Sequence, residues 1–410
     1  MVDLLRFAAA GSVDDGKSTL IGRLLYDAKA ILADQLEHVA AVSARRGGGE
    51  VDLSLLTDGL RAEREQGITI DVAYRFFATP KRRFIVADTP GHAQYTRNMV
   101  TGASTADLAL ILVDASKGLT EQSRRHAAIA ALLRVPQVTV VVNKLDLVGY
   151  SEEAFDAVVR EFLTWSSSLG LHGVTFIPVS ALKGDNVVER SPERLGWYDG
   201  PALLEHLETV EVEPASAAAP ARLPVQYVIR ADGERRYAGR VAAGVLREGE
   251  EIVVLPGGQR STVAGIDGPA GPLSEAAAPL SVSVRLADEL DVGRGDLIAG
   301  AGGAPEPVRE VRATVCWMGD APARPGARFE LKHTTRTVQA RLESVEHRID
   351  VLTLDSVPAP DGLALNELGD VRLRLAGEIA ADPYAVSRAT GAFILVDPAT
   401  NDTVAAGMIR

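Results

Sequence analysis

Five largely apolar runs punctuate the first half of the chain: Leu4–Ala10, Phe84–Ala87, Leu108–Val113, Val138–Val142 and Val174–Val179. Runs that are apolar on both faces suit strands buried inside a parallel sheet, with helices covering each side. Between and after them, Ser18–Tyr26, Gln122–Leu133, Ser151–Leu169 and Pro201–Thr209 carry apolar residues at helical period. This alternation predicts a doubly wound α/β domain. Near residue 213 the texture changes. An Ala/Pro-rich linker (Pro214–Ala221) leads into short alternating runs such as Arg240–Ala243 and Glu251–Leu255, cut by Gly and Pro. Such a pattern predicts compact β-barrels. A second junction, Gly300–Pro305, precedes another β-rich stretch. The expected architecture is therefore an α/β domain over residues 1–213, then two all-β barrel domains over 222–303 and 304–410. Gly268–Pro272 is expected to be a surface loop.

The polar residues at the ends of the predicted strands carry the chemistry. Residues 11–18 read Gly-Ser-Val-Asp-Asp-Gly-Lys-Ser, a complete phosphate loop between a strand and a helix. Gly11 and Gly16 let the backbone turn tightly, so that N–H groups of Ser12, Val13, Asp14, Asp15 and Thr19 can face phosphate oxygens at a helix N-terminus. Lys17 can reach the β- and γ-phosphates, and the Ser18 hydroxyl can hold Mg²⁺. The second run ends at Asp88-Thr89-Pro90-Gly91. There Asp88 can bind Mg²⁺ through water, and the Gly91 N–H can meet the γ-phosphate. The third run ends at Asp114, which carries no nucleotide signature and reads as structural. The fourth ends at Asn143-Lys144-Leu145-Asp146 and the fifth at Ser180-Ala181-Leu182. A carboxylate at Asp146 can accept N1–H and N2–H₂ of guanine, which adenine does not offer in that arrangement. Lys144 can lie along the ring, and the Ala181 N–H can meet O6. Loops at the carboxyl ends of parallel strands converge on one crevice, so these motifs predict a GTPase.

Composition sets outer limits. With 410 residues the chain exceeds one core. No apolar run approaches the ~18 residues that span a bilayer, and no basic stretch followed by an apolar leader opens the chain. The lone cysteine, Cys316, sits among apolar neighbours and reads as a buried core residue. A cytoplasmic, non-membrane protein is expected. The net charge of −12 argues against a broad nucleic-acid surface. His38, His126, His172 and His206 show no metal-ligand spacing and are expected to be structural.

Forty residues separate Tyr26 from Gly67-Ile68-Thr69-Ile70, and a long connection in this place is usually functional. Thr69 is the expected switch residue, its hydroxyl on Mg²⁺ and its N–H on the γ-phosphate. Gly-x-Val-Asp-x-Gly-Lys-Ser, Ala62-Glu63-Arg64-Glu65-Gln66 with the segment that follows, and Asp88–His92 together resemble the elongation-factor-like GTPases. Within that superfamily the run Gly11–Leu25, Asp71–Arg75 and Gln94–Met99 are similar to the large GTP-binding subunits of bacterial sulfate adenylyltransferase. So are Leu331–Arg336, Thr390–Asp397 and Thr400–Met408. The resemblance covers essentially the whole chain. It implies one G domain with two β-barrels, and His92 as the residue orienting the attacking water. It also implies a separate small ATP-binding catalytic subunit, forming a heterodimer or a higher assembly. On that partner, adenosine 5′-phosphosulfate and pyrophosphate would form from ATP and sulfate, driven by GTP hydrolysis here. Asp14 resembles a loop aspartate that helps hold a monovalent cation; simple loop stabilisation is the alternative. The chain carries no Ser-Gly-Gly-x-Asp-Ser signature for adenylyl transfer and no second phosphate loop. An aminoacyl-tRNA carrier is the competing expectation. Asp15 and Gln66 depart from the residues usual in such carriers.

Overall fold

The computed structural model describes residues 3–28, 53, 71–91, 95–167, 169–171, 173–212, 219–231, 233–350, 353, 355–359 and 361–410. The chain divides into two compact units, one running to Val212 and the other made up of the β-rich residues beyond it.

The first unit is built on one six-stranded sheet. Its strands are β1 (Asp3–Gly11), β2 (Ala73–Ala78), β3 (Arg82–Asp88), β4 (Leu108–Asp114), β5 (Gln137–Asn143) and β6 (Thr175–Pro178), in the spatial order β2-β3-β1-β4-β5-β6. All neighbours are parallel except β2 with β3. The five apolar runs are the five parallel strands. β4 shows why they lack alternation, since every one of its residues is buried. β2 is the exception: it alternates, with Tyr74 and Phe76 exposed and Phe77 buried against Phe84 in a stacked pair at 4.5 Å. An edge strand solvated on one face writes a different pattern from its buried neighbours, and no apolar run marked it.

Helices α1 (Lys17–Asp27), α2 (Thr96–Ser104), α3 (Glu121–Leu132), α4 (Glu152–Ser166) and α5 (Leu203–Thr209) accompany the sheet. α1 buries Leu20, Ile21, Leu24 and Leu25 against Leu5, Phe7 and Leu110 of the strands in one core cluster. α3 and α4 start where their caps dictate. The Thr120 hydroxyl accepts from the Ser123 N–H at 3.1 Å and the Ser151 hydroxyl from the Ala154 N–H at 3.2 Å. Acidic Glu121, Glu152 and Glu153 then follow in the first turns, where the helix dipole favours negative charge. The Ser151 expected to open the fourth helix is thus its cap.

Beyond residue 219 the strands close into two barrels. β7 (Arg222–Ala231), β8 (Glu234–Arg240), β10 (Glu251–Leu255), β11 (Gln259–Gly268), β14 (Ser281–Leu286) and β15 (Leu297–Gly300) form one sheet, and the β10–β11 pairing closes it. β9 (Val245–Arg247) pairs with β13 (Glu275–Ala277) beside it, and β12 (Gly271–Leu273) continues β11 as a hairpin. The Gly/Pro-rich 268–272 segment is that hairpin's turn and part of its return strand. The second barrel comprises β16 (Pro307–Trp317), β17 (Arg328–His333), β18 (Arg336–Ile349), β20 (Leu368–Ala380), β21 (Ala392–Val396) and β22 (Thr403–Ile409). A β17–β18 pairing closes this ring, and β19 (Ser356–Pro358) lies beside β18. Closure removes the free strand edges that an open sheet of this kind would expose. Each barrel encloses its own apolar cluster. Cys316 is buried within β16, and burial pushes its thiol up to about 12. The architecture expected from the sequence, α/β followed by two all-β barrels, is the one observed.

A buried polar network joins the two barrels. Arg222 on β7 forks onto Asp382, Nε to Oδ2 and Nη2 to Oδ1, both at 3.0 Å, and Nη2 also donates to the Gly303 carbonyl at 2.6 Å. The Thr390 hydroxyl donates to Asp382 Oδ2 at 2.6 Å, and His333 Nε2 lies 2.7 Å from the Thr390 carbonyl. Thr390 lies within helix α6 (Arg388–Gly391), which Ser387 caps by accepting from the Thr390 N–H. Arg336 adds a second tie, Nη1 to Asp296 Oδ1 at 3.4 Å. His333, Arg336 and Thr390 come from two of the three C-terminal segments noted in the sequence, which had offered no chemistry of their own.

Candidate guanine-nucleotide site

The phosphate loop follows β1 directly. Asp14 and Gly16 take left-handed backbone, φ +67° and +88°, which turns the chain sharply into α1. A side chain at Gly16 would also come within 2.5 Å of Asn143 Nδ2, so both dihedral and space demand glycine. The Asp15 N–H returns to the Ser12 carbonyl at 3.2 Å, and the Ser12 N–H donates to Asp15 Oδ2 at 2.8 Å. No side chain caps α1 at Gly16, and an N-terminus of this kind suits an anion. Asp15 is fully buried. Its carboxyl is held above the usual range, chiefly by that burial and with help from the charge of Asp114, against the Ser12 N–H and the nearby lysines. The Ser12 hydroxyl is 2.6 Å from Thr120 Oγ1, a partner that no motif announced.

Lys17 is buried and forms a close ion pair with Asp88 at the end of β3. These are the two residues expected at the γ-phosphate and at the metal, and the fold brings them together across 71 positions. Next to them Gly91 packs on the loop itself, where an added Cβ would sit 2.5 Å from the Gly11 carbonyl oxygen. Thr89 anchors the turn by donating its hydroxyl to the Ala9 carbonyl at 2.8 Å. Val13 is exposed at the rim. Buried His126 is pushed down to about 3 by desolvation, with the charges of Lys17 and Arg125 acting in the same direction, and is therefore neutral. His206 pairs with Thr139 Oγ1 at 2.9 Å. Both rings are buried.

The base-reading motifs lie at the ends of β5 and β6. Asn143 is the joint of the site. Its Nδ2 donates to the Asp15 carbonyl at 2.7 Å, and its Oδ1 accepts from the Ala181 N–H at 2.9 Å. The N–H expected to meet guanine O6 thus already holds the two loops together. The Ser180 hydroxyl donates to Asp146 Oδ1 at 2.6 Å, which orients the carboxylate expected to read N1 and N2. Lys144, left-handed at φ +63°, stretches its ammonium to Asp114 Oδ2 at 2.8 Å. Asp114, buried at the end of β4, is also bound by the Ser116 hydroxyl and N–H. Desolvation opposes its charge, but these contacts outweigh it and hold the carboxyl below the usual range. Asp114, read from the sequence as structural, anchors the ammonium of Lys144, the residue expected to lie along the base. Arg23 from α1 donates to the carbonyls of Ala181 at 3.3 Å and Leu182 at 2.8 Å.

Thr69, the 62–70 segment, His92, Gln94, His38, His172 and the 214–218 linker lie outside the described residues. Among the described residues no group of three or more His, Cys, Asp or Glu could hold a metal ion, and no helix is long and apolar enough to cross a membrane.

Residues 3–213 match the family described as elongation factor Tu GTP binding domain, and residues 310–410 match the GTP-eEF1A C-terminal domain-like family. Over 409 residues the sequence is 49% identical to sulfate adenylyltransferase subunit 1 of Aeromonas salmonicida, covering 99% of this chain and 86% of that protein. The chain belongs to the sulfate adenylyltransferase subunit 1 family. A second subunit 1, from Laribacter hongkongensis, is 48% identical over 413 residues, 100% of this chain and 85% of that protein. Identity rises to 56% over 415 residues with the bifunctional enzyme CysN/CysC of Mycobacterium tuberculosis strain H37Rv, of which this chain spans 67%. In this member of the subunit 1 family the phosphate loop and the loop after β6 are tied to each other by Asn143.

Proposed function

We propose that this chain is the GTP-hydrolysing subunit of a sulfate adenylyltransferase. The observation that carries the reading is near-50% identity to proteins named subunit 1 along 99% of the chain, over a site in which Lys17, Asp88, Asn143 and Asp146 converge. In this reading residues 1–213 carry the nucleotide chemistry, and the barrels at 222–303 and 304–410 follow. A separate small subunit binds ATP and sulfate and forms adenosine 5′-phosphosulfate and pyrophosphate. Here GTP and water give GDP and phosphate, and that hydrolysis drives the unfavourable anhydride formation next door.

The residues divide the work. Gly11–Thr19 surround the phosphates with N–H donors, and Lys17 exchanges its contact with Asp88 for phosphate oxygens. Asp146 selects guanine, Lys144 covers the ring, and Ser180–Leu182 supply the wall of the base pocket. The hydroxyl of Ser18 and the carboxylate of Asp88 are hard oxygen donors, the class Mg²⁺ prefers, and Thr69 would complete the set. Bound there, Mg²⁺ would neutralise charge on the β- and γ-phosphates. His92 would orient the attacking water, and Thr69 would report the γ-phosphate to the partner.

The test measures product yield with the partner subunit, ATP and sulfate, leaving pyrophosphate in the reaction. GTP should carry product past the ATP-only equilibrium, a non-hydrolysable analogue should not, and Lys17→Ala should abolish the excess. Equal yield with the analogue would reduce GTP to an activator and overturn the coupling.

A further inference from the structure

We infer that Arg23 is a positioning residue for guanine selection, acting from the phosphate-loop helix on the loop that walls the base pocket. It rests on the guanine-nucleotide reading above and extends it to Arg23, which lies in the Gly11–Leu25 run but had no nucleotide contact assigned to it. Arg23 sits on α1 and reaches residues some 158 positions away. Its Nε donates to the Ala181 carbonyl at 3.3 Å and its Nη2 to the Leu182 carbonyl at 2.8 Å. The fork is braced from behind by Asp27, 3.8 Å from Nη1 and one turn along the helix. The Arg23 side chain is about four-fifths shielded, with 21% of its surface exposed.

The loop closes around this guanidinium. The Gly184 N–H returns to the Ser180 carbonyl at 2.8 Å, and Gly184 takes left-handed backbone at φ +81°. A Cβ at Gly184 would make only ordinary contact with Arg23, 3.6 Å from Cδ and Nε, so the left-handed dihedral rather than space favours glycine. Because the peptide unit is planar and trans, a carbonyl fixed toward Arg23 fixes the N–H of the next residue away from it. Binding the Ala181 carbonyl therefore aims the Leu182 N–H, and binding the Leu182 carbonyl aims the Lys183 N–H. The latter donates to Ser180 Oγ at 3.3 Å, and Ser180 in turn donates to Asp146 Oδ1. Arg23 thus aims the Leu182 N–H, those of Ser180 and Ala181 being already bonded to the Asp185 carbonyl and to Asn143, and it steadies the Ser180 hydroxyl that holds the base-reading carboxylate. Its place in the Gly11–Leu25 run gives no sign of this role, since its partners are carbonyls that any residue would supply.

The experiment compares GDP with IDP, which lacks the N2 amine that Asp146 reads, by calorimetric titration of the full chain. Substitution Arg23→Met keeps the aliphatic stem and removes the fork. Losing two hydrogen bonds to a loop partly held by Asn143 should weaken GDP about tenfold and shrink the GDP:IDP affinity ratio several-fold. Arg23→Lys can reach one carbonyl and should give an intermediate ratio, which keeps the test usable if the methionine variant folds poorly. A ratio unchanged in both variants, with only the unfolding midpoint lowered, would make Arg23 a stabilising contact and overturn the proposal. A wild-type chain without preference for GDP over ADP would instead sink the guanine reading itself.

Discussion

Replacing Asn143 by alanine removes the single side chain through which the phosphate loop and the base loop hold each other. Asn143 is 1% exposed, and its two bonds, 2.7 Å to the Asp15 carbonyl and 2.9 Å from the Ala181 N–H, are buried. Truncation leaves one carbonyl and one N–H without partners, each costing about 1–3 kcal/mol. The extremes for the pair are therefore about 2 and 6 kcal/mol, and water entering the vacated space recovers part of it. A loss of about 3 kcal/mol in the unfolding free energy of the nucleotide-binding unit is expected. Both bonds exist without any ligand, so stability falls first. GDP affinity falls only by the share of loop ordering that the nucleotide must then supply, at most about 10²-fold for 3 kcal/mol. Urea unfolding in a Trp317→Phe background, followed through Trp165 and Trp197, reports this unit without the tryptophan of β16. A loss under about 1 kcal/mol, with GDP affinity within twofold of wild type, would refute the joint.

Two further outcomes are expected. His92→Ala should hold GTP affinity within several-fold and slow single-turnover hydrolysis by roughly 10²-fold, as loss of water positioning requires; equal losses in binding and turnover would assign it to structure instead. Arg222→Ala should destabilise the twin-barrel unit by about 3–5 kcal/mol, because it strands the Asp382 carboxylate in the interior. Burial raises the Asp382 pKa, but the bonds from Arg222 and Thr390 outweigh it and leave the carboxyl below its ordinary value. A depressed folded-state pKa contributes stability above the unfolded value near 3.9 and loses it as pH falls through the folded value. The wild-type advantage over Arg222→Ala should therefore be full at pH 7 and shrink below about pH 4 in acid unfolding curves. A gap that does not change with pH would contradict it.

The sequence announced what obeys a short-range rule. The parallel strands were legible because both faces are buried, and the motif residues because each sits at the end of such a strand. β2 escaped because it is a solvated edge whose pattern is set by its place in the sheet, and α2 because Thr96–Ser104 is only nine residues long and has no side-chain cap to mark its start. Asp114 could not be assigned a role, since its partner Lys144 is 30 residues distant and meets it only when β4 and β5 lie side by side. Ser12 with Thr120, and Arg23 with two carbonyls, are invisible for the same reason. The third-domain segments illustrate the converse. Their residue order was distinctive enough to identify a family branch, yet His333 and Thr390 acquire meaning only where they fold against Asp382 and Arg222.

That network has a mechanical consequence. Two barrels on a short connection would ordinarily swivel, and any displacement imposed on one would dissipate as reorientation of the pair. A buried bidentate fork, shared with a threonine and accompanied at Arg336–Asp296 by a second tie, opposes that swivelling, because reorientation would strand the Asp382 carboxylate in the interior.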